Sequence, residues 1–497
     1  MQRGGSALRL LLAGSLLAGA CATASRYRIP DVTLPPPTSS VTTVVAADFD
    51  VPEGAILVQP GDDLAGLVAE APAGTTFVLA PGVHRMGPLA PKDRMVFEGI
   101  DGAVLSGAVI LDGFVAEGSR WVLEDVDLDP ARPGECIPDY RSCGLRNDVF
   151  VDGVMLWRVD TEAEVRTGTW WGGDGRIVLA DDPTGRVVEV SVRSHAILGA
   201  ADEVTIRNLV VEKYATPPQH GAVQAQELGD GPRGWGWLVE DVELRLNHAV
   251  GLRTGDATTV RRVYAHHNGQ LGISVSGGSG VRIEESDLSF NNTRGFLWEW
   301  EGGGGKFTRT DGLVVVDTTA IGNEGPGLWT DIDAVDTRYE GNVVRDNRGP
   351  GIFHEISGAA VIRGNEVVGN GFGKPAWAWG AGILVAASFD VEVSGNVVRG
   401  NADGVVGVQQ ERGSGPLGPR LLARLVVEEN TIGLTGGIVG VVDDVGDRYL
   451  YIDRGIRFEG NHYEGIGDRR LYAWAGGYHD REGWQALGHD LTGTWED

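Results

Sequence analysis

Asp331 and Glu355 end two copies of one phrase, NEGPGLWTD over residues 323–331 and NRGPGIFHE over 347–355. Each acid lies eight residues beyond an asparagine, Asn323 or Asn347, and Glu299 stands at the same offset from Asn291. Equal offsets from a repeated landmark predict one column of three carboxyls on neighbouring repeats, with Asp331 in the middle. Adjacent parallel strands run about 4.8 Å apart. Stacked carboxyls would then lie roughly 5 Å apart on an open face, the spacing at which a retaining glycosidase sets a nucleophile against an acid/base. Two other readings fit the same column. A hard cation such as calcium takes stacked carboxylates, and an acidic stripe on a solvated face needs no function. Like charges this close raise one another's pKa, which disfavours an accidental column.

The neighbours of these acids suit a sugar. Trp329 and Phe353 precede them by two residues, on the same strand face. Trp298, Trp300, Trp377 and Trp379 fall in flanking loops. Singly each reads more simply as packing; together they resemble a stacking platform for sugar rings. Lys306 follows the glycine run EGGGG, and with His354, Asp333, Arg338 and Arg412 it supplies polar groups for the same face.

The elements that must hold these groups are legible in a repeat. Asn247, Asn268, Asn291, Asn323, Asn347, Asn370 and Asn401 follow one another at steps of 21, 23, 32, 24, 23 and 31 residues. The first five are followed four residues later by Gly251, Gly272, Gly295, Gly327 and Gly351, and then by Leu252, Ile273, Phe296, Leu328 and Ile352. Stretches rich in β-branched residues precede them, as in VTIRNLVVE, AVIRGNEVVGN and VEVSGNVVRGN. A short period carrying two or three strands per unit is a solenoid. The L-x-x-L-x-L signature of leucine-rich repeats is missing, and a propeller blade needs about 40–50 residues. A parallel β-helix fits: asparagines stack at the bends as scaffold, glycine serves where the backbone turns sharply, and the long steps are coils with inserted loops.

Composition agrees with this. The 497 residues include 76 Gly and only 4 Met, a balance that favours short strands and tight turns over helices. A formal charge of −27 argues against nucleic acid or anionic lipid as a partner. Residues 1–20 read as an export signal, since Arg3 and Arg9 precede an apolar run too short to span a bilayer. Cys21, directly after Ala-Gly-Ala, resembles the lipidated cysteine of bacterial lipoproteins, and residues 21–50 read as a tether. The expected location is therefore a membrane-anchored lipoprotein in the periplasm or at the cell surface, with plain secretion as the fallback. Residues 51–117 read as the N-terminal cap and first coils. A helix from Asp63 to Ala71, with Leu64, Leu67 and Val68 on one face, plugs the open end. Residues 118–190 break the period and look like antiparallel hairpins of an inserted β subdomain. Cys136 and Cys143, the cysteines left after Cys21, are expected to pair there, far from the acid column. Coils resume near His195, and 191–497 hold the site and a C-terminal extension.

GLWTDIDAVDTR followed by GIFHEIS is similar to the paired motifs of the right-handed parallel β-helix β-xylosidases, a retaining glycoside hydrolase family. The likeness is specific over 291–357 and looser over about 50–470. It implies a right-handed coil, with Asp331 as nucleophile and Glu355 as proton donor. The expected fold is thus all-β, a right-handed parallel β-helix solenoid with an N-terminal capping helix and a small inserted β subdomain. The expected function is a retaining glycoside hydrolase on polysaccharide or oligosaccharide, without metal or cofactor. One alternative is a polysaccharide lyase or uronate epimerase, in which Lys306, Arg338 or Arg412 takes the proton and calcium held by the acids neutralises the sugar carboxylate. The other is a carbohydrate-binding surface solenoid without catalysis.

The signal reading has a direct test. Cys21→Ser should release the protein from the membrane fraction or leave it unprocessed; unchanged fractionation would show that no lipid is attached at Cys21.

Overall fold

Short β-branched runs set the unit of this fold. In one coil, Val314–Val316, Thr319–Ile321 and Leu328–Asp331 form three successive strands. The first two are three residues long and bury only their central side chain, Val315 or Ala320, as the two-residue strand period requires. The computed structural model describes residues 51–130, 132–229, 231–467 and 469–496. The signal, Cys21 and the tether expected before residue 51 lie outside the described residues.

Among the described residues, 13 strands from Ile56–Val58 to Arg457–Glu459 stack into one sheet. Twelve more, from Ile197–Leu198 to Gly477–His479, form the sheet that carries the acids. The third side consists of a five-stranded and a seven-stranded run, linked through Asp287, which bridges to both Tyr264 and Thr319. Successive coils pair in parallel and in register, as in Val314↔Arg338 and Arg338↔Val361. The three sheets enclose one apolar core.

Both corners of the third sheet turn in the same way. A residue with left-handed backbone precedes a buried asparagine: Gly341 before Asn342 and Gly364 before Asn365 at one corner, Gly322 before Asn323 and Asp346 before Asn347 at the other. Glycine and aspartate adopt this conformation at low cost. Each asparagine Nδ2 then donates to the Oδ1 of the asparagine one coil on, and that oxygen also accepts the first residue's backbone N–H. Asn323 meets Asn347 in this way at 2.8 and 3.0 Å, and Asn347 meets Asn370 at 2.9 and 3.0 Å. The ladder expected from the spacing runs unbroken from Asn247 to Asn401. A second ladder rises beside it from Asn342 through Asn365, Asn396, Asn430 and Asn461 to Asp490. It shares the period of the first, so counting from one set of asparagines does not separate the two.

The glycine four residues after the asparagine has a different cause from the sharp turn expected. Gly327 and Gly351 do not have left-handed backbones. A Cβ on Gly327 would stand 2.8 Å from Asn347 Nδ2, and one on Gly351 would stand 2.9 Å from Asn370 Nδ2. Close approach of the next coil's amide excludes any side chain.

The helix Leu64–Glu70 covers the first coil with Leu64 and Val68, and Asp63 caps it by accepting the Gly66 N–H at 3.0 Å. At the far end Trp484, from the helix Arg481–Ala486, and Tyr463 both donate to Asp490, the last rung of the second ladder. Strands from Ala108–Leu111 to Val188–Ser191 leave the coil period and form two largely antiparallel sheets around Trp170. Buried Asp148 ties this region to the coils, holding His248 Nδ1 at 3.0 Å and Arg294 Nε at 2.9 Å.

Asn347→Ala would leave buried partners unpaired on the coils to either side. A loss of about 3 kcal/mol is expected, read as a lower melting temperature and urea midpoint. A loss below about 0.5 kcal/mol would mean that the ladder adds little beyond what solvent can replace.

Candidate active site

Leu328–Asp331 and Ile352–Glu355 pair in parallel, Leu328 on Ile352, Trp329 on Phe353 and Thr330 on His354, so Asp331 and Glu355 follow at the same level. Side chains alternate across the sheet. Leu328 and Ile352 enter the core, and Thr330 also points inward, its hydroxyl on the Tyr339 phenol. Trp329, Asp331, Phe353 and Glu355 therefore share the outer face. His354, expected among the substrate-binding groups, falls on the other side. It is fully buried, with Nε2 donating to the Gly358 carbonyl at 2.8 Å, and burial lowers its pKa to about 4. Alternation alone removes it from the site.

Lys306 lies one coil before Asp331, in the strand Gly303–Thr308, opposite Trp329. Its Nζ is 3.1 Å from Asp331 Oδ2 and 2.9 Å from Glu301 Oε2, and it donates to the Trp300 carbonyl at 2.8 Å. All three N–H bonds of the ammonium are thus committed. The same nitrogen sits 3.5 Å from the centre of the Trp329 ring, a cation–π contact. Burial opposes the charge on Lys306, but Glu301 and Asp331 outweigh it, and the pKa lies above the ordinary lysine value. Asp331 Oδ1 has no hydrogen-bond partner among the described residues, although it is buried. Glu355 accepts from Arg412 through Oε1. Burial first, and then the charge of Asp331, raise its pKa against the pull of Arg412 and Lys306. Glu301 is raised as well, by burial, with Lys306 opposing. The two central acids thus differ in surroundings: Asp331 is held by an ammonium through one oxygen, and Glu355 is biased toward its protonated form.

The column of three acids is corrected. Glu299 belongs to a short helix, Trp298–Glu301, and pairs with Lys374 at 2.9 Å. The residue level with Asp331 on that coil is Thr308. Residues inserted after Asn291 put the structural counterpart of Gly327 at Gly304, whose Cβ would meet Asn323 Nδ2, and not at Gly295. Counting from the asparagine therefore stops short of the strand. Glu301, from the same helix, takes the place expected of Glu299 beside the site. Its position is unreadable from the spacing, because it depends on how the insertion folds back.

The open face is also corrected, since Asp331 and Glu355 are each only 6 % exposed. On one side stand the helix Trp298–Glu301 and the segment around Ala376–Ala378, joined by the Lys374–Glu299 pair. On the other side a hairpin, Ser414–Gly415 with Gly418–Pro419, brings Arg412 to Glu355 and Arg420 to Asp333, the latter at 3.1 Å. Asp333 is thus tied to the hairpin rather than displayed. Trp329 stacks on Phe353 with centroids 5.4 Å apart and is buried, as is Trp298; Trp379 meets Phe353 edge-on at 6.2 Å. Of the five tryptophans grouped as a sugar platform, only Trp377 is exposed. Arg338 lies on a different sheet, beside Glu340, and does not reach the acids.

Cys136 and Cys143 are joined as a disulfide, but their loop is not far from the site. The Ile137 N–H donates to the Gly295 carbonyl at 3.0 Å and the Leu297 N–H to the Glu135 carbonyl at 2.7 Å. The loop packs on Phe296 and Trp300, immediately before the helix that supplies Glu301 and the Trp300 carbonyl. The calcium alternative meets two cations already in place, Lys306 on Asp331 Oδ2 and Arg412 on Glu355 Oε1. Among the described residues His462, Glu464 and Glu496 also converge, but Arg399 holds both Glu464 oxygens, at 2.7 and 2.6 Å.

Residues 232–398 match the family described as right handed beta helix region. The fold is a right-handed parallel β-helix. Among solved structures the chain is similar to XylC in its complex with xylose, at 15 % identity over 81 % of this chain and 80 % of that one, with a TM-score of 0.64. It is also similar to the A-module of the mannuronan C-5 epimerase AlgE6 of Azotobacter vinelandii, at 15 % identity over 87 % of this chain and 92 % of that one, with a TM-score of 0.52. At such identities the likeness establishes the fold alone. No curated protein sequence matches the chain significantly.

Replacing Cys136 and Cys143 together by serine should loosen the segment that carries Glu301. Amide hydrogen exchange at 295–301 should speed up while the asparagine corners at 342–370 stay protected. Equal protection in both segments would remove the disulfide loop from any role in placing Lys306 and its partners.

Proposed function

We propose that this protein is a retaining glycoside hydrolase in which Asp331 is the nucleophile and Glu355 the acid/base. The observation that carries the reading is the unequal treatment of two carboxyls on adjacent coils: one is anchored by Lys306 with its second oxygen unpartnered, and the other has its pKa raised. In the first step Asp331 Oδ1 bonds to the anomeric carbon as Glu355 gives its proton to the leaving oxygen. The negative charge thereby passes from Asp331 to Glu355, where Arg412 balances it. Loss of the Asp331 charge also lowers the pKa of Glu355, readying it to take a proton from water in the second step. That water displaces Asp331 and releases the sugar with its configuration retained.

A lyase or epimerase on the same fold would need a base poised near neutral pH. Lys306 fits that poorly, because each of its three N–H bonds has an acceptor and its pKa is raised. The export and Cys21 lipidation read from residues 1–21 complete the proposal: an anchored exported enzyme acting on carbohydrate outside the cytoplasm.

Aryl β-glycosides, beginning with the xyloside, give the test. Asp331→Asn should cut kcat by at least about 10³-fold, or about 4 kcal/mol of transition-state stabilisation, with the melting temperature preserved. Glu355→Ala should slow substrates with poor leaving groups most, and azide should restore turnover as a glycosyl azide of retained configuration. Activity should fall as pH rises through the raised pKa of Glu355. In Arg412→Ala that basic limb should move to higher pH, since removing a cation disfavours the carboxylate. Unsaturated products, loss of activity in chelator, or inverted products would each overturn the reading; binding without turnover would favour the non-catalytic solenoid.

A further inference from the structure

The segment between Asn370 and the strand Ala381–Ala386 is the insertion that closes one side of the site. Its aromatic residues divide sharply. Trp379 turns inward against Phe353, whereas Phe372 and Trp377 are 59 % and 39 % exposed. Trp377 has φ 52° and ψ 51°, and Ala378 follows at φ 68°. Two successive left-handed residues without glycine are each unfavourable for an L-amino acid. Burial of Ala378 in the apolar cluster on the outer face offsets its share. Trp377 lies outside that cluster and stays 39 % exposed, so the strained backbone there holds part of an indole toward solvent, a pattern that clusters at binding sites.

The segment is tied to its neighbours through Lys374. Lys374 Nζ holds Glu299 at 2.9 Å and lies 5.8 Å from the Trp298 ring and 5.5 Å from the Trp379 ring. This clamps the segment to the helix that supplies Glu301. Trp377 lies 6.2 Å from Trp379, which lies 6.2 Å from Phe353, two residues before Glu355 on the same face. The exposed indole is thus the outer end of an aromatic line that begins beside the acids.

We propose that Trp377 is a stacking platform for a sugar unit beyond the scissile bond, and that the chain it receives is a neutral oligosaccharide. This rests on the hydrolase reading for the place of the scissile bond. An indole face suits the C–H face of a pyranose, which has an apolar surface and no net charge. Neutrality follows from the four cations that pair with the acids of the site and its walls, whose charge is already met: Lys306 by Glu301 and Asp331, Lys374 by Glu299, Arg412 by Glu355 and Arg420 by Asp333. A chain carrying −27 formal charges also repels polyanions.

Binding to Asp331→Asn isolates the platform from turnover. Titration calorimetry with xylo-, cello- and galacto-oligosaccharides of one to four units should show a gain of at least about fivefold, roughly 1 kcal/mol, with length in one series. Trp377→Ala in that background should abolish the gain, and Trp377→Phe should keep most of it. No gain with length in any series, a gain that survives Trp377→Ala, or tighter binding of oligogalacturonate would overturn the proposal. The hydrolase reading fails separately: a length-dependent gain that needs Trp377, with no aryl glycoside turned over by the wild-type protein, would leave the platform and remove the hydrolysis.

Discussion

Two stacks of buried asparagine amides govern this structure. Each rung meets both the side chain and the backbone N–H of its neighbour, so a coil cannot slip along the axis without breaking several hydrogen bonds at once. A buried amide that loses its partners costs about 1–3 kcal/mol, and a one-residue slip would also turn every inward side chain outward. The ladders therefore do more than stabilise the corners. They hold the strands between them at one level, to within the tolerance of a hydrogen bond.

The acids exploit that register and pay for it in electrostatics. Asp331 and Glu355 are neighbours because Asn323 and Asn347 are, yet two buried carboxyls side by side repel. Lys306 on one side and Arg412 on the other bring the group close to neutrality, while the remaining asymmetry separates the two acids in character. A single charge shared between two sites, each with its own cation, is what the proposed two-step displacement would use. The scaffold supplies the spacing, and the cations supply the division of roles.

The cations come from outside the repeat. Lys306 reaches Glu301 only because an insertion places a helix before its strand, and Arg412 reaches Glu355 from a hairpin that follows a later one. The disulfide loop braces the first of these insertions through backbone hydrogen bonds to Gly295 and Leu297. The coils are thus a rigid frame of nearly uniform units, and chemistry is added where units are lengthened. Along one row of the sheet the outer face changes from polar at Ser274 and Lys306 to apolar at Leu384 and Val406, which pack with Ala378 and Trp379 of the insertion.

By itself the sequence determined the parallel coil, the first ladder and the pairing of Asp331 with Glu355. In an in-register solenoid, equal distance from a stacked residue is equal height on the sheet, so counting along the chain measures position in space. That rule holds only where nothing intervenes between landmark and strand. It misplaced Glu299, because the insertion after Asn291 lengthens the chain without adding height, and it offered His354 although the alternation that sets Phe353 beside Glu355 already puts His354 on the opposite face. The closure over the acids, the three partners of Lys306 and the outward turn of Trp377 were decided by tertiary structure alone. Each rests on contacts between segments far apart in the chain, such as Lys374 with Glu299 and Arg412 with Glu355, and such contacts leave no local pattern from which their geometry can be read.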